Sequence, residues 1–354
     1  MKRHLKIENT TITDDSDAYV IAEIGHNHQG DVETCKKLFL AAKECGAHSV
    51  KLQKRDNKSL FTRAMYHQPY DNENSYGPTY GLHREALEFG RDEYVELQRF
   101  ATELGMTFFA TAFDFKSADF LESLNVPVYK IASGDLKNIP LLTYLASFKK
   151  PMIVSTGGGT LDDVRRMYDA VLPLNEQLAI LQCTAGYPPT FEELELNVIS
   201  TFRREFPLAT IGFSSHDSGV AMAVAGYVLG ARIVEKHFTL NRAMKGTDHA
   251  FSLEPVGLKK MVRDLQRVRL ALGTGVKRTF ASEQRPLLKM GKKLVAARPL
   301  TVGHVLHVSD IAIKSPGDGL PPYELSRLLG KTLAEPMIED QEFTFEILKD
   351  RVLV

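Results

Sequence analysis

The sequence predicts an α/β protein: a closed (β/α)8 TIM barrel followed by a small β-rich domain. Three observations carry this. The chain has 354 residues, more than one hydrophobic core usually holds, whereas a barrel of about 250 residues plus a module of about 60 to 70 accounts for the length. Eight short runs rich in β-branched and aromatic residues alternate with longer polar-apolar segments, the pattern of a parallel sheet with crossover helices. After residue 273 that alternation stops and short strands and turns replace it.

In chain order the predicted strands are AYVIAEI (18–24), HSVKLQ (48–53), MTFFATA (106–112), VYKIA (128–132), PMIVST (151–156), LAILQCT (178–184), ATIGFSS (209–215) and ARIVEKHF (231–238). Helical spacing of apolar residues appears between them in VETCKKLFLAAKEC, EYVELQRFATELG, LDDVRRMYDAVL and VAMAVAGYVLG, and residues 255–273 close the set. The spacing is regular apart from an insertion over residues 54–91, whose YDNENSYGPTYGLHRE is too rich in Asn, Gly and Pro for a helix. A loop of that length in a compact domain, carrying aromatic, His and Arg residues, points to function. We read residues 1–274 as the barrel, 275–290 as a linker and 291–354 as the second domain, too small to be stable without docking on something larger.

Lys plus Arg equals Asp plus Glu at 44 each, so no global charge recruits nucleic acid or an anionic membrane, and any attraction for an anion is local. No apolar run of about 18 residues and no apolar segment behind the polar N-terminus is present, which leads to the expectation of a cytoplasmic protein. Cys35, Cys45 and Cys183 are odd in number and lack CxxC spacing, as expected of small buried residues in a reducing compartment.

Polar residues at the C-terminal ends of barrel strands are where chemistry is expected. Alternation places Glu23, Gly25 and Asn27 on one face of AEIGHNHQG. Lys51 and Lys130 lie inside otherwise apolar runs, where an ammonium is costly unless it meets an anion. Thr111, Ser133, Ser155 and Ser214 can add hydroxyls to the same anion site. His216 and His237 end the seventh and eighth runs, and Glu235 shares a face with His237. Two imidazoles and a carboxylate on neighbouring strands suit a divalent ion with open positions. Asp248, just beyond, can add a carboxylate. His26 and His28 form a rival HxH pair within a glycine-flanked loop.

The segments AEIGHNHQG, VKLQK, YKIASGD, STGG, LQCTAGYPP, IGFSSHDSG, EKHFTL and KGTDHAFSLEP together resemble, in order and spacing, the motifs of the N-acetylneuraminate (sialic acid) synthase family. The tail from about 291 resembles that family's antifreeze-like (SAF) domain. The insertion SYGPTYGLHREALEF is similar to that of animal-type synthases and their bacterial relatives. The resemblance implies a transferase of carbohydrate biosynthesis that condenses phosphoenolpyruvate with the open-chain aldehyde of N-acetylmannosamine or a relative, phosphorylated or not, and releases phosphate. It implies Mn2+ or Mg2+ on His216 and His237, with Lys51, Thr111, Lys130, Ser133, Ser155 and Ser214 on phosphoenolpyruvate. Glu23, Tyr187 and Asp248 fall to the sugar, Glu235 supports the metal-bound water or aldehyde, and Asp135 is the candidate proton shuttle. It further implies a homodimer in which the second domain of one chain covers the barrel mouth of its partner.

Two positions depart from the family pattern. Ser315 stands where many bacterial members carry an Arg directed at the N-acyl group of the partner's substrate, and Ala185 replaces an Asn expected at the phosphate. The rival readings are a synthase of legionaminate, pseudaminate or the deaminated sugar acid, and a non-catalytic sugar- or ice-binding protein suggested by the tail alone.

Overall fold

A computed structural model describes residues 3–349 and divides the chain into two compact units, Met1–Gly273 and Thr274–Val354. The last five residues of the predicted second domain, 350–354, lie outside the described residues.

The first unit opens with a hairpin, β1 (His4–Ile7) and β2 (Thr10–Thr13), paired antiparallel. Eight parallel strands follow: β3 (Tyr19–Gly25), β4 (Ser49–Lys54), β5 (Thr107–Ala112), β6 (Tyr129–Ile131), β7 (Met152–Ser155), β8 (Leu178–Cys183), β9 (Thr210–Ser215) and β10 (Ile233–His237). They close in the order β10-β3-β4-β5-β6-β7-β8-β9. Each lies within one or two residues of its sequence-derived bounds. These strands are buried on both faces, which is why they read as continuous apolar runs rather than alternating ones.

Between strands the helices bury one stripe each. In Val32–Glu44, Cys35, Leu38, Phe39 and Ala42 face the sheet, and the Asp31 carboxylate accepts from the Thr34 amide at 2.8 Å, a cap that contributes about 1 kcal/mol. The barrel interior is filled at its lower end by Tyr19, Ile21, Phe109, Ile153 and Leu181, and the hairpin's Leu5, Ile7 and Ile12 join that cluster as a plug. Apolar side chains thus close one end, and the polar strand ends gather at the other.

The insertion departs from its expected loop character. It holds three short helices, Asn57–Leu60, Arg63–His67 and Tyr80–Glu85. The last lies within the stretch read as too rich in Asn, Gly and Pro; Thr79 caps it by accepting from the Leu82 amide, and side chains from elsewhere in the insertion pack against it.

The second unit carries β11 (Lys293–Ala296) against β12 (Ile311–Lys314), and β13 (Thr332–Leu333) against β14 (Leu348–Lys349), both antiparallel. Its core comprises Leu294, Leu300, Leu306, Leu328, Met337 and Phe343 among others. The buried Asp310 carboxylate accepts from Arg298 (2.7 Å), His304 (2.8 Å) and the His307 amide (2.9 Å), a polar staple for a small core. The segment expected as a linker, 275–290, includes a helix, Gln284–Met290.

Candidate active site

The strand ends surround a cavity of about 730 Å3. Register explains the convergence. His237 on β10 stands beside Glu23 on β3, and Glu23 beside Lys51 on β4; Thr111 pairs with Lys130, and Ser214 with both Cys183 and Glu235. The lining includes every site residue expected from the sequence apart from Asp135.

Asp135 faces a neighbouring groove with Arg55, Phe113 and Gly134, where its Oδ1 accepts from Asn138 Nδ2 at 3.0 Å and burial raises its pKa. The expected common face of Glu23, Gly25 and Asn27 breaks at Gly25. A register shift occurs there, φ is +54°, and a Cβ would come within 3.4 Å of Glu23, Gln53 and Asp248, so glycine is required. Asn27 turns away from the cavity and donates to the Phe238 carbonyl (2.9 Å) and Ser252 Oγ (3.0 Å), tying the loop after β3 to the loop after β10.

The lysines do meet anions, but those anions belong to the chain. Lys51 Nζ lies 2.5 Å from Glu23 Oε2 and donates to Thr111 Oγ1 at 2.9 Å. Lys130 donates to Ser155 Oγ (2.7 Å) and lies 3.7 Å from Glu235. Burial raises the Glu23 pKa, and the Lys51 ammonium only partly offsets it. For Glu235 burial acts upward too, yet Lys130, Lys51, His237 and the Ser214 hydroxyl outweigh it and the pKa falls. Two neighbouring carboxylates are thereby pushed apart, Glu23 towards holding a proton and Glu235 towards ionisation, the arrangement from which acid and base roles arise.

His216 and His237 have ring centroids 5.4 Å apart. His216 donates from Nδ1 to the Thr184 carbonyl at 2.9 Å, which leaves its Nε2 lone pair for a ligand. His237 Nδ1 and Glu235 Oε2 are buried without a hydrogen-bond partner among the described residues, and Asp248 Oδ2 is 3.7 Å from His237 Nδ1. Among the described residues no three His, Cys, Asp or Glu side chains close a cage. Two imidazoles with carboxylates beside them fit an ion that keeps open positions. The rival pair does not converge: His28 stacks on Phe89 at 4.2 Å and accepts from Gly30, while His26 lies between two arginines.

Several lining residues were not anticipated. Gln53 donates to Glu23 Oε1 at 2.7 Å, and Arg55, Asn74, Arg84 and Phe251 complete the wall. Cys183, expected only as buried packing, reaches the cavity, where Ser133 donates to its sulfur. Lys236 points away from the cavity and donates to the carbonyl (2.6 Å) and Oδ1 (2.8 Å) of Asp217, fixing the turn that carries His216. The roof is made of three loops: Asn74 Oδ1 accepts from the Gly246 amide (2.9 Å), while Gln29 and the Tyr76 hydroxyl each donate to the Lys245 carbonyl at 2.7 Å.

The NeuB family model matches residues 38–277 and the SAF domain model residues 293–346. The chain is 40% identical to the N-acetylneuraminate-9-phosphate synthase of Homo sapiens over 93% of its length and 92% of that protein. It is 34% identical to the N,N'-diacetyllegionaminic acid synthase of Legionella pneumophila over 89% of its length and 90% of that protein. Among solved structures, the N-acetylneuraminic acid synthetase of Leptospira borgpetersenii in complex with citrate superposes with a TM-score of 0.71 at 27% identity, covering 81% of this chain and 95% of that one. With a closed eight-stranded parallel barrel, a SAF domain following it in the sequence and synthases as its relatives over nearly the whole length, the chain belongs to the NeuB family of sialic acid synthases.

Proposed function

We propose that the chain joins phosphoenolpyruvate to the open-chain aldehyde of an N-acylmannosamine-type sugar, with release of phosphate. The observation that carries this is the single cavity that unites two strand-end lysines, their partner hydroxyls and two imidazoles. Lys51 and Lys130, with Thr111, Ser133, Ser155 and Ser214, bind the phosphate and carboxylate of phosphoenolpyruvate through charge-assisted hydrogen bonds. Glu23, Gln53, Tyr187 and Asp248 line the remaining space and take the sugar hydroxyls. Mn2+ or Mg2+ held by His216 and His237 supplies Lewis-acid polarisation of the aldehyde when bound.

C3 of phosphoenolpyruvate forms the new bond to the aldehyde carbon, whose oxygen gains a proton. Water adds at C2, and phosphate leaves with its bridging oxygen by C–O cleavage. Glu23, whose pKa burial raises, stands where it can protonate the aldehyde oxygen; Glu235, whose pKa its cationic neighbours lower, can take the proton of the incoming water. Asp135, the candidate proton shuttle, lies in the adjoining groove, which shares Arg55, Phe113 and Gly134 with the cavity.

Phosphate release from phosphoenolpyruvate across a panel of N-acetylmannosamine, its 6-phosphate, mannose, and the legionaminate and pseudaminate precursors, with and without chelator, tests the reading. An N-acylmannosamine sugar is expected to give the highest kcat/KM and chelation to abolish turnover. A bis-acetamido sugar in first place redirects the reading to the legionaminate or pseudaminate branch, and no release with any sugar overturns it.

The reading extends to a homodimer in which the second domain of one chain, residues 291–354, covers the mouth of its partner. Supporting it, the second unit exposes Tyr323 (80%) and Ile338 (72%), apolar surface that a docked lid would cover. Light scattering is expected to give a dimer, and a chain ending at Thr274 is expected to bind phosphoenolpyruvate yet lose most turnover. A fully active monomer, or a truncated chain with normal turnover, rules the lid out.

A further inference from the structure

Glu235 and His237 line the cavity, so alternation along β10 turns Lys236, between them, to the outer face of the barrel. Val234 shares that face and lies in the apolar cluster between sheet and helices. Lys236 continues the row as an ammonium whose side chain is 1% exposed, and its counter-charge, Asp217, is 2% exposed. Nζ donates to the Asp217 carbonyl at 2.6 Å and to its Oδ1 at 2.8 Å, and Ser215 Oγ donates to the same Oδ1.

An ion pair taken out of water adds little to stability, because desolvation of both charges offsets their attraction, and apolar residues of similar volume commonly do as well. Its presence in an apolar layer points to geometry instead, and its place in the chain shows which geometry. The ladder between β9 and β10 ends with Ser215 opposite Lys236. His216 and His237 therefore each stand one residue beyond the last backbone pairing of their two strands. The Lys236–Asp217 contact spans that gap. One end is the chain neighbour of His237 and the other the chain neighbour of His216, while the bond from Ser215 to Asp217 ties the two residues that flank His216. His237 is held on its other side by β3, where it pairs with Glu23, and the His216 ring is aimed by the Thr184 carbonyl. The constraint still missing is the distance between the two strand ends, on which the 5.4 Å between ring centroids depends.

We propose that Lys236 and Asp217 are positioning residues: their ion pair sets the separation of His216 and His237, and with it the affinity for the divalent ion of the proposed function, on which this inference rests.

Calorimetry of Mn2+ binding to the metal-stripped, full-length protein, without substrates, tests this in the parent, in Asp217→Asn, in Lys236→Arg and in the double variant Lys236→Met with Asp217→Asn. The double variant removes both charges, so the net charge beside the histidines is that of the parent and no lone charge is left buried. A change in its affinity then reports position rather than field. Its Mn2+ dissociation constant is expected to rise about 10- to 100-fold, the usual effect of losing a group that holds a metal ligand in place. Asp217→Asn keeps the backbone acceptor and the side-chain shape; it is expected to show a smaller rise, and it carries the test should the double variant fail to fold. Lys236→Arg, with a cation still opposite Asp217, is expected to keep most of the affinity. In steady state the Mn2+ concentration for half-maximal turnover is expected to move with the dissociation constant, while KM for phosphoenolpyruvate at saturating Mn2+ stays that of the parent. Unaltered Mn2+ affinity in Asp217→Asn and in the folded double variant overturns the clamp. So does an equal loss of Mn2+ and phosphoenolpyruvate affinity, which assigns the pair to the general stability of the barrel mouth. A parent that binds no Mn2+ overturns the metal reading itself and the clamp with it, an outcome distinct from a parent and variants that bind equally well.

Discussion

Replacing both His216 and His237 by alanine is expected to reduce phosphate release by about a thousandfold or more while leaving the thermal midpoint close to that of the parent. Loss of Lewis-acid polarisation removes several kcal/mol of transition-state stabilisation, and each 1.36 kcal/mol is about tenfold in rate. The stability expectation follows from how little the rings hold in place. His216 donates to the Thr184 carbonyl, and His237 Nδ1 has no hydrogen-bond partner among the described residues. Steady-state kinetics and circular dichroism check the two halves separately. Turnover within tenfold of the parent in the double variant, or in the parent after exhaustive chelation, removes the metal from the reaction.

Lys51→Met is expected to be destabilising as well as inactivating, by about 3 to 5 kcal/mol, because it leaves the buried Glu23 without its counter-charge. Glu23 already has a raised pKa, and the substitution raises it further. A group whose folded pKa exceeds its unfolded value contributes stability at low pH and loses it as pH rises through the folded value. The deficit of Lys51→Met is therefore expected to be greater at pH 8 than at pH 5. Adding Glu23→Gln removes the buried charge, and most of the lost stability is expected to return while activity does not. Chemical denaturation of the parent, both single variants and the double variant at two pH values checks this. A deficit independent of pH, or no recovery in the double variant, shows that the pair does not act as a buried ion pair.

The barrel was legible because its constraint is local. A strand covered on both faces must be apolar almost throughout, so VIAEI, FFATA and AILQC announce themselves, and a charge inside such a run marks a strand end. Lys51, Lys130 and Glu235 were found that way. The sequence does not say which anion a buried lysine meets, and here Glu23 and Glu235 lie close enough to supply it, which only the register of neighbouring strands reveals. Arg55 and Arg84 escaped notice for another reason. They sit in an insertion without periodicity, and their proximity depends on both reaching the same imidazole. The hairpin plug carried a readable signal, the alternation of HLKI, yet four-residue strands are easily passed over. The helix Tyr80–Glu85 defied its composition because a single threonine cap and tertiary packing decide so short an element.

The roof over the cavity joins segments far apart in the chain, residues 72–76 and 245–246, through side-chain contacts to backbone groups. Neither segment has a regular ladder of its own there, so each draws part of its order from the other. The two are expected to share one opening equilibrium, with amide hydrogens in both exchanging with solvent as a single cooperative unit below the barrel's global stability. A ligand that touches only one of them is then expected to protect both from exchange. A single proteolytic cut at the exposed Asp71–Glu73 stretch is expected to loosen the loop after β10 as well as the loop that was cut.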